Sequence, residues 1–359
     1  MSKILYAAGT MEHIKSFHLP YIEALRKDGH EVLVMARGKD ADFDINFEKK
    51  MLSAENRRCR KKIKKILKEE KFDVLFLNTT LAAFNIRCSI PKKHRPKVIN
   101  FVHGYMFPKK VKSVRDRIFL LCEKYLRKKT DYIMVMNQDD YEIAHQYKLC
   151  LGEIIMTKGM GARVTDSPEL SKDLIYKYHQ SEGKYVICFV GELYKAKNQR
   201  MLICALPEIQ LAIPNAVLWL IGEGVARHEL VELADDLNLS GSVYFMGRRN
   251  NPCDFIRASD IYVSASEKEG LPFNIMEALG CGKVTIASDI KGHRDIIEDG
   301  KSGFLFPQND INELVRLIKA VHSGEISINP EDAIDRYKIF SYDSVFEKTY
   351  GTMKELIEK

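Results

Sequence analysis

Glu269 and Glu277, with seven residues between them in the stretch Ser264–Asp289 (SASEKEGLPFNIMEALGCGKVTIASD), are the acids best placed to do chemistry. Asp260-Ile-Tyr-Val-Ser-Ala before them and Lys283-Val-Thr-Ile-Ala-Ser after them read as short buried strands. Between the strands, Pro272 suits the first position of a helix, and Gly280 and Gly282 suit its end. The spacing predicts Glu269 in a loop at the carboxyl end of a strand and Glu277 about two turns into the helix. Backbone N–H groups of Leu271 to Asn274, at the start of such a helix, can receive an anion. The result is an anion site flanked by two acids; the plainer alternative is an ordinary βαβ unit with two solvated glutamates.

Other residues offer weaker chemistry. Lys97-Val-Ile-Asn-Phe-Val102 reads as a strand that ends in His103-Gly104-Tyr105, and a histidine at the carboxyl end of a parallel strand faces a ligand crevice. Asp40-Ala-Asp-Phe-Asp44 holds two overlapping D-x-D triplets, a pattern able to hold a divalent ion, but without further ligands nearby. Arg57–Lys71 has nine basic residues in fifteen; as a helix it puts Cys59, Ile63, Ile66 and Leu67 on one face and cations on the rest. That segment is either a solvated helix or an attachment to anionic lipid. No aromatic residues are interleaved as stacking platforms, which disfavours nucleic acid. A second cationic tract, Lys109, Lys110, Lys112, Arg115 and Arg117, leads into a helix expected to reach Lys129.

The elements that must position these residues repeat a strand–loop–helix rhythm in both halves. Residues 3–8 read as a strand, Gly9 to His13 as a polar loop, Ser16 to Asp28 as a helix, and Glu31 to Ala36 as a strand. This is a dinucleotide-fold start without G-x-G-x-x-G, which weighs against a nicotinamide dinucleotide site. After a mostly helical connector near 167–183 the rhythm begins again, with strands at Tyr185–Val190, Ala216–Ile221 and Ser242–Phe245. Ser264–Asp289 reads as the last full βαβ unit, and Tyr337–Glu358 as a closing helix. The fold class is α/β: two doubly wound Rossmann-like domains facing across a cleft. The expected domains are 1–180, 181–335, and a C-terminal helix at 336–359 that packs back on the first.

Composition bounds the function. The 359 residues suffice for two domains, and no apolar run approaches the ~18 residues of a membrane span. The start MSKILYAAGT lacks a signal-peptide core, so a cytoplasmic location is expected. The eight cysteines form no CxxC pair and do not cluster with histidines, which offers neither a zinc site nor a disulfide framework. The net charge of +7 divides into +14 for residues 1–180 and −7 for 181–359. The basic half points to an anionic partner such as a membrane surface or a pyrophosphate-bearing acceptor.

Taken in order, the motifs resemble the family-4 glycosyltransferases of GT-B fold, retaining enzymes that use nucleotide-sugar donors. Glu269 and Glu277 match that family's E-x(7)-E, and Lys197 matches the lysine of its G-R-L-x-x-x-K loop. Gly222-Glu-Gly224, Phe245-Met-Gly247 and Phe340-Ser-Tyr342 also match. Phe17-His-Leu-Pro-Tyr21, Val102-His-Gly-Tyr105 and Asn137-Gln-Asp-Asp-Tyr141 are similar to bacterial enzymes of capsule, exopolysaccharide or lipid-linked oligosaccharide assembly. The resemblance implies that Glu277 holds the donor ribose, that Glu269 and His103 touch the sugar, and that Lys197 neutralises the diphosphate. It further implies donor contacts from Gly9, Gly222, Gly224, Gly270, Leu271, Pro272 and Phe273, with the base held by the backbone of Met246, Gly247 and Arg248. Neither a metal nor any other cofactor is implied; the partners are a UDP-sugar, a lipid-linked saccharide and the inner face of the membrane, with no nucleic acid. One departure stands out: Glu192 occupies the position of the loop arginine, which leaves the second diphosphate cation unassigned, with Lys195 and Arg248 as candidates to substitute. Rival readings are a nucleotide-sugar epimerase, a phosphorylase, or a non-catalytic nucleotide-sugar-binding scaffold.

Overall fold

The structure, a computed structural model, describes residues 1–48, 53–165 and 181–359. By contact the chain divides into Met1–Met160 with Val345–Lys359, and Gly161–Ser344. The division falls at Met160/Gly161 rather than near 180, because Ala162 bridges to Ser341 and its carbonyl accepts a hydrogen bond from Tyr337 Oη at 3.0 Å. The expected helical connector lies, over residues 166–180, outside the described residues.

The first unit is built on a parallel sheet of seven strands: β1 (Lys3–Thr10), β2 (Glu31–Arg37), β3 (Phe43–Asp44), β4 (Val74–Asn78), β5 (Lys97–Val102), β6 (Tyr132–Val135) and β7 (Ile154–Met156). Their order is β3-β2-β1-β4-β5-β6-β7, so chain direction across the sheet reverses between β1 and β4. Near-continuous apolar runs such as Val74–Asn78, buried throughout, suit strands covered on both faces. In place of the polar loop expected at Gly9–His13, Gly9 and Thr10 end β1 and Met11–His13 start a helix. Thr10 caps it by accepting from the His13 N–H at 3.2 Å, and a π turn over Ile14–His18 leads into the helix Leu19–Lys27. The helix Ala54–Glu70 buries Cys59, Ile63, Ile66 and Leu67 in the core, as the spacing predicts, and leaves a cationic outer face. The helices Thr80–Ser89 and Val114–Leu126 are locked together by Arg87, whose guanidinium donates to both Glu123 carboxylate oxygens at 2.9 and 2.8 Å. Both partners are buried, and such a pair fixes the rotation of each helix more than it adds stability.

Residues Val345–Lys359 complete this first unit. Phe346 lies against the Tyr21 ring at 4.8 Å, Thr349 Oγ1 donates to the Gly159 carbonyl at 3.2 Å, and Lys97 Nζ donates to the Ile357 carbonyl at 2.8 Å. The closing helix is two helices, Pro330–Lys338 and Tyr342–Glu358. The break between them is set by Ser341, whose hydroxyl accepts from the Ser344 N–H at 3.3 Å.

The second unit carries a parallel sheet of β8 (Tyr185–Val190), β9 (Ala216–Ile221), β10 (Val243–Gly247), β11 (Ile261–Ser264), β12 (Thr285–Ser288) and β13 (Phe304–Phe306). The order β10-β9-β8-β11-β12-β13 reverses between β8 and β11. Ser264–Asp289 is therefore not the last βαβ unit: β13 extends the sheet beyond β12, followed by the helix Ile311–Ser323. The helix Phe273–Gly280 packs on the helix Pro330–Lys338 through Gly280, where a Cβ would fall 2.9 Å from the Tyr337 ring. Close packing thus explains that glycine better than termination, which Gly282 performs at φ +67°.

Candidate functional site

In a doubly wound sheet, ligands bind beyond the carboxyl ends of the strands where the order reverses. In the second unit that point lies between β8 and β11, and the loops leaving these two strands carry Lys197 and Glu269. Their side chains meet: Lys197 Nζ is 2.6 Å from Glu269 Oε1, with exposures of 14% and 11%. Three contacts hold the loops together. Glu267 N–H donates to the Ala196 carbonyl at 2.8 Å, and Gln199 Nε2 to the Glu192 carbonyl at 2.8 Å. Asn274 Nδ2, at the start of the helix Phe273–Gly280, donates to the Val190 carbonyl at 2.6 Å.

Gly222 and Gly224 act on this site by close approach. A Cβ on Gly222 would fall 1.9 Å from the Gly191 carbonyl oxygen, and one on Gly224 would fall 2.2 Å from that of Leu193. The turn after β9 is thereby pressed onto the Lys197 loop, and Leu193 N–H donates to the Glu223 carbonyl at 3.0 Å. Gly222→Ala is expected to displace the Gly191–Leu193 loop. Thermal unfolding should report a lower Tm, and nucleotide-sugar titration a weaker affinity; an unchanged pair of values would refute this role. Met246, buried, and Gly247 end β10, and Gly222 N–H donates to the Gly247 carbonyl at 2.9 Å, tying that edge to the same turn. Arg248 and Lys195 are exposed, as is Glu192.

Glu277 sits one turn into its helix rather than two, since Pro272 caps the helix and Phe273 is its first residue. Burial of its carboxyl pushes the acid up to about 8, with Cys253 adding to the shift. Leu271 and Pro272 are buried beside it, and Gly270 and Phe273 are half-buried.

The sequence reading missed His293. Fully buried after β12, it shares a hydrogen bond of 2.8 Å between Nδ1 and the Ser288 carbonyl, while Nε2 has no partner. Burial lowers its pKa to about 4, and the charges of Glu269 and Lys197 both act on it, so it borders the ion pair. Its neighbour Gly292 comes so near that a Cβ there would sit 2.7 Å from the Gly270 carbonyl oxygen. The only sequence signal was a histidine shortly after a strand end, which tertiary packing alone made meaningful.

In the first unit the corresponding point lies between β1 and β4, flanked by Gly9 and Thr79. A Cβ on Gly9 would touch Thr79 Oγ1 at 3.4 Å. Thr79 adopts φ +63°, a strained conformation for a β-branched residue, and its buried hydroxyl has no partner. His103, at the end of β5, lies beside His13 and His18, with Nε2 3.4 Å from Asn78 Oδ1. His18 Nε2 is 3.2 Å from His13 Nε2, and its Nδ1 is 2.9 Å from Tyr6 Oη. Burial, then the neighbouring His13, lowers His103 to about 3, so all three rings are held towards the neutral form. Among the described residues this is the one cluster with metal-ligand spacing, and several of its nitrogens are already engaged by one another, by Tyr6 and by Asn78. The D-x-D carboxylates do not converge: Asp40 pairs with Lys15, while Asp42 and Asp44 accept from the Val34 and Gly38 N–H groups at 2.7 and 3.0 Å.

Comparison with known proteins adds to this geometry. Residues 171–338 match the profile of glycosyl transferases group 1, and residues 21–154 that of glycosyltransferase family 4. The chain is 29% identical over 332 residues to a Bacillus subtilis protein named as the glycosyltransferase EpsD, covering 89% of this chain and 87% of the relative. It is 26% identical over 274 residues to the Escherichia coli UDP-Gal:alpha-D-GlcNAc-diphosphoundecaprenol alpha-1,3-galactosyltransferase, covering 73% and 69%. In fold it resembles Anabaena HepE, solved with UDP and glucose, at a TM-score of 0.78 and 18% identity, covering 99% of this chain and all of the other.

Proposed function

Since the chain belongs to the family 4 glycosyltransferases and has their two-domain α/β fold, we propose that it is a retaining enzyme moving a hexose or N-acetylhexosamine from a UDP-sugar to a lipid-linked saccharide. The observation that carries this reading is the shielded Lys197–Glu269 pair at the reversal point of the second sheet. A diphosphate arriving there would take Lys197 as its counter-ion and release Glu269 toward the sugar. As the bond from the anomeric carbon to the phosphate oxygen breaks, negative charge grows on the leaving UDP, and a preplaced ammonium stabilises it. The acceptor oxygen bonds to the same face of that carbon, and its proton passes to the departing phosphate oxygen. Neither glutamate has to act as a base, and with Lys197 in place no divalent ion is required; undiminished turnover in EDTA is the expected result.

In this reading Glu277 accepts hydrogen bonds from the ribose. Neutral imidazoles around His103 suit sugar hydroxyls better than phosphate, since they offer hydrogen bonds without charge. Lys195 or Arg248 supplies the second cation. Donor and acceptor classes draw on the E. coli relative's name, and UDP also on the HepE complex. A thermal-shift panel of nucleotide sugars tests the donor: a ligand at about 100 times its Kd stabilises by about 2.7 kcal/mol, and UDP-sugars should outrank GDP- and ADP-sugars. Incubation with donor alone separates transfer from epimerisation, because only an epimerase converts the donor without acceptor. A lipid-linked acceptor sets the enzyme on the inner membrane face, with the basic first half as its contact. No helix among the described residues is long and apolar enough to cross a membrane.

A further inference from the structure

The helix Ala54–Glu70, with its cationic outer face, has no apolar surface left for a bilayer, since Cys59, Ile63, Ile66 and Leu67 all face the core. The helix Val114–Leu126 does. Its inward side is fixed by Leu120, Leu126 and the Arg87–Glu123 pair. That rotation leaves Val114, Ile118, Leu121 and Tyr125 in solvent at 73%, 47%, 64% and 72% exposure. At about 100° per residue these four fall within an arc of roughly 60°, opposite Glu123. Large apolar side chains in a continuous stripe are not what a solvated helix face carries.

The rim of the stripe is basic. Lys110, Lys112, Arg115, Arg117, Lys124 and Lys128 are all exposed on this helix or the loops at its ends. The basic surface continues past the helix end. Lys129 Nζ donates to the Arg87 and Cys88 carbonyls, and a cavity of ≈350 Å3 is lined by Lys64, Lys68, Lys92, Lys93 and His94. An apolar stripe between cations is the pattern of a helix lying in the plane of an anionic bilayer, apolar side among the acyl chains and cations at the headgroups.

We propose that the helix Val114–Leu126 is the membrane-docking element of this protein, inserting Val114, Ile118, Leu121 and Tyr125 into an anionic lipid surface. This deepens the membrane part of the reading above and rests on it for the presence of a bilayer. The binding assay needs neither donor nor acceptor, so its failure leaves the transfer reaction standing.

The full-length protein is floated with vesicles of phosphatidylcholine alone or mixed equally with phosphatidylglycerol. Binding to the anionic vesicles is expected, weakening as salt rises, and Ile118→Glu/Leu121→Glu is expected to lower it by about tenfold or more. Both sites are on the surface, so thermal unfolding should match wild type. A second measurement avoids disruptive substitutions: Tyr125→Trp adds an exposed indole to a chain whose single tryptophan, Trp219, is buried. The emission of this variant should shift to the blue on anionic vesicles and stay unshifted without them. Wild-type binding by the Ile118→Glu/Leu121→Glu variant, or an emission from the Tyr125→Trp variant that anionic vesicles leave unshifted, overturns the proposal. So does loss of binding in Lys64→Glu/Lys68→Glu with retention in the apolar variant. Sedimentation showing that the stripe holds two copies of the chain together in the absence of lipid would overturn it as well.

Discussion

Replacing Lys197 by alanine is expected to reduce transfer on the order of 10²-fold or more, with most of the loss in kcat. The ammonium lies 2.6 Å from Glu269 in a shielded position. It is therefore balanced by a carboxylate. On the proposed reading, donor binding would exchange one anion for another, which costs little reorganisation. The benefit comes later, as charge moves onto the leaving diphosphate, and an interaction that strengthens in the transition state appears in kcat rather than KM. Glu269→Gln should be comparably damaging, because Lys197 loses the partner that orients it. The double replacement should cost less than the two single losses combined, as expected for residues in contact. Initial rates at saturating donor decide the matter; a near wild-type rate for Lys197→Ala removes it from the site. Thermal unfolding of each variant separates lost chemistry from lost fold.

Glu277 should make donor affinity depend on pH. Burial holds its acid near 8, against 4.5 for an ordinary glutamate. On the proposed reading, ribose hydroxyls would donate to the ionised carboxylate, where a charged acceptor contributes about 1.5–3 kcal/mol. Below pH 8 the ionised fraction falls about tenfold per unit, so affinity should strengthen as pH rises from 6 to 8 and level off above. Glu277→Gln should bind more weakly and without this slope. Isothermal titration across the range reads both, and a wild-type Kd that ignores pH would sink the assignment. Stability runs the other way. Because the folded acid holds its proton more tightly than the unfolded one, its favourable contribution is complete below pH 4.5 and is lost as pH rises through 8. Over that window the glutamine variant should gain stability relative to wild type.

Much of this was legible in the chain. Alternating strand and helix patterns gave both doubly wound sheets, since buried parallel strands leave unmistakable apolar runs. Lys197 and Glu269 were found by the motifs around them, and the structure brings them together. What stayed hidden depends on neighbours remote in sequence. His18 reads as an ordinary helical residue until Tyr6, His13 and His103 surround it. Thr79 carries no trace of its positive φ, and His293 becomes notable only because its second nitrogen is buried beside the ion pair. The two-residue β3 is too short for any periodicity. The tail misled by continuity: a helical pattern ran through Ile339–Ser341, and only the Ser341 cap reveals the break.

The first unit takes its last helix from the end of the chain, after the whole of Gly161–Ser344. During synthesis the segment that begins first is therefore finished last. Tyr21 waits for Phe346, and the Gly159 carbonyl for Thr349, until the whole second unit has been made. Domains that emerge early ordinarily fold early, but here the first unit stays incomplete while the second, Gly161–Ser344, can already close. A nascent chain would thus acquire its second sheet before its first is sealed.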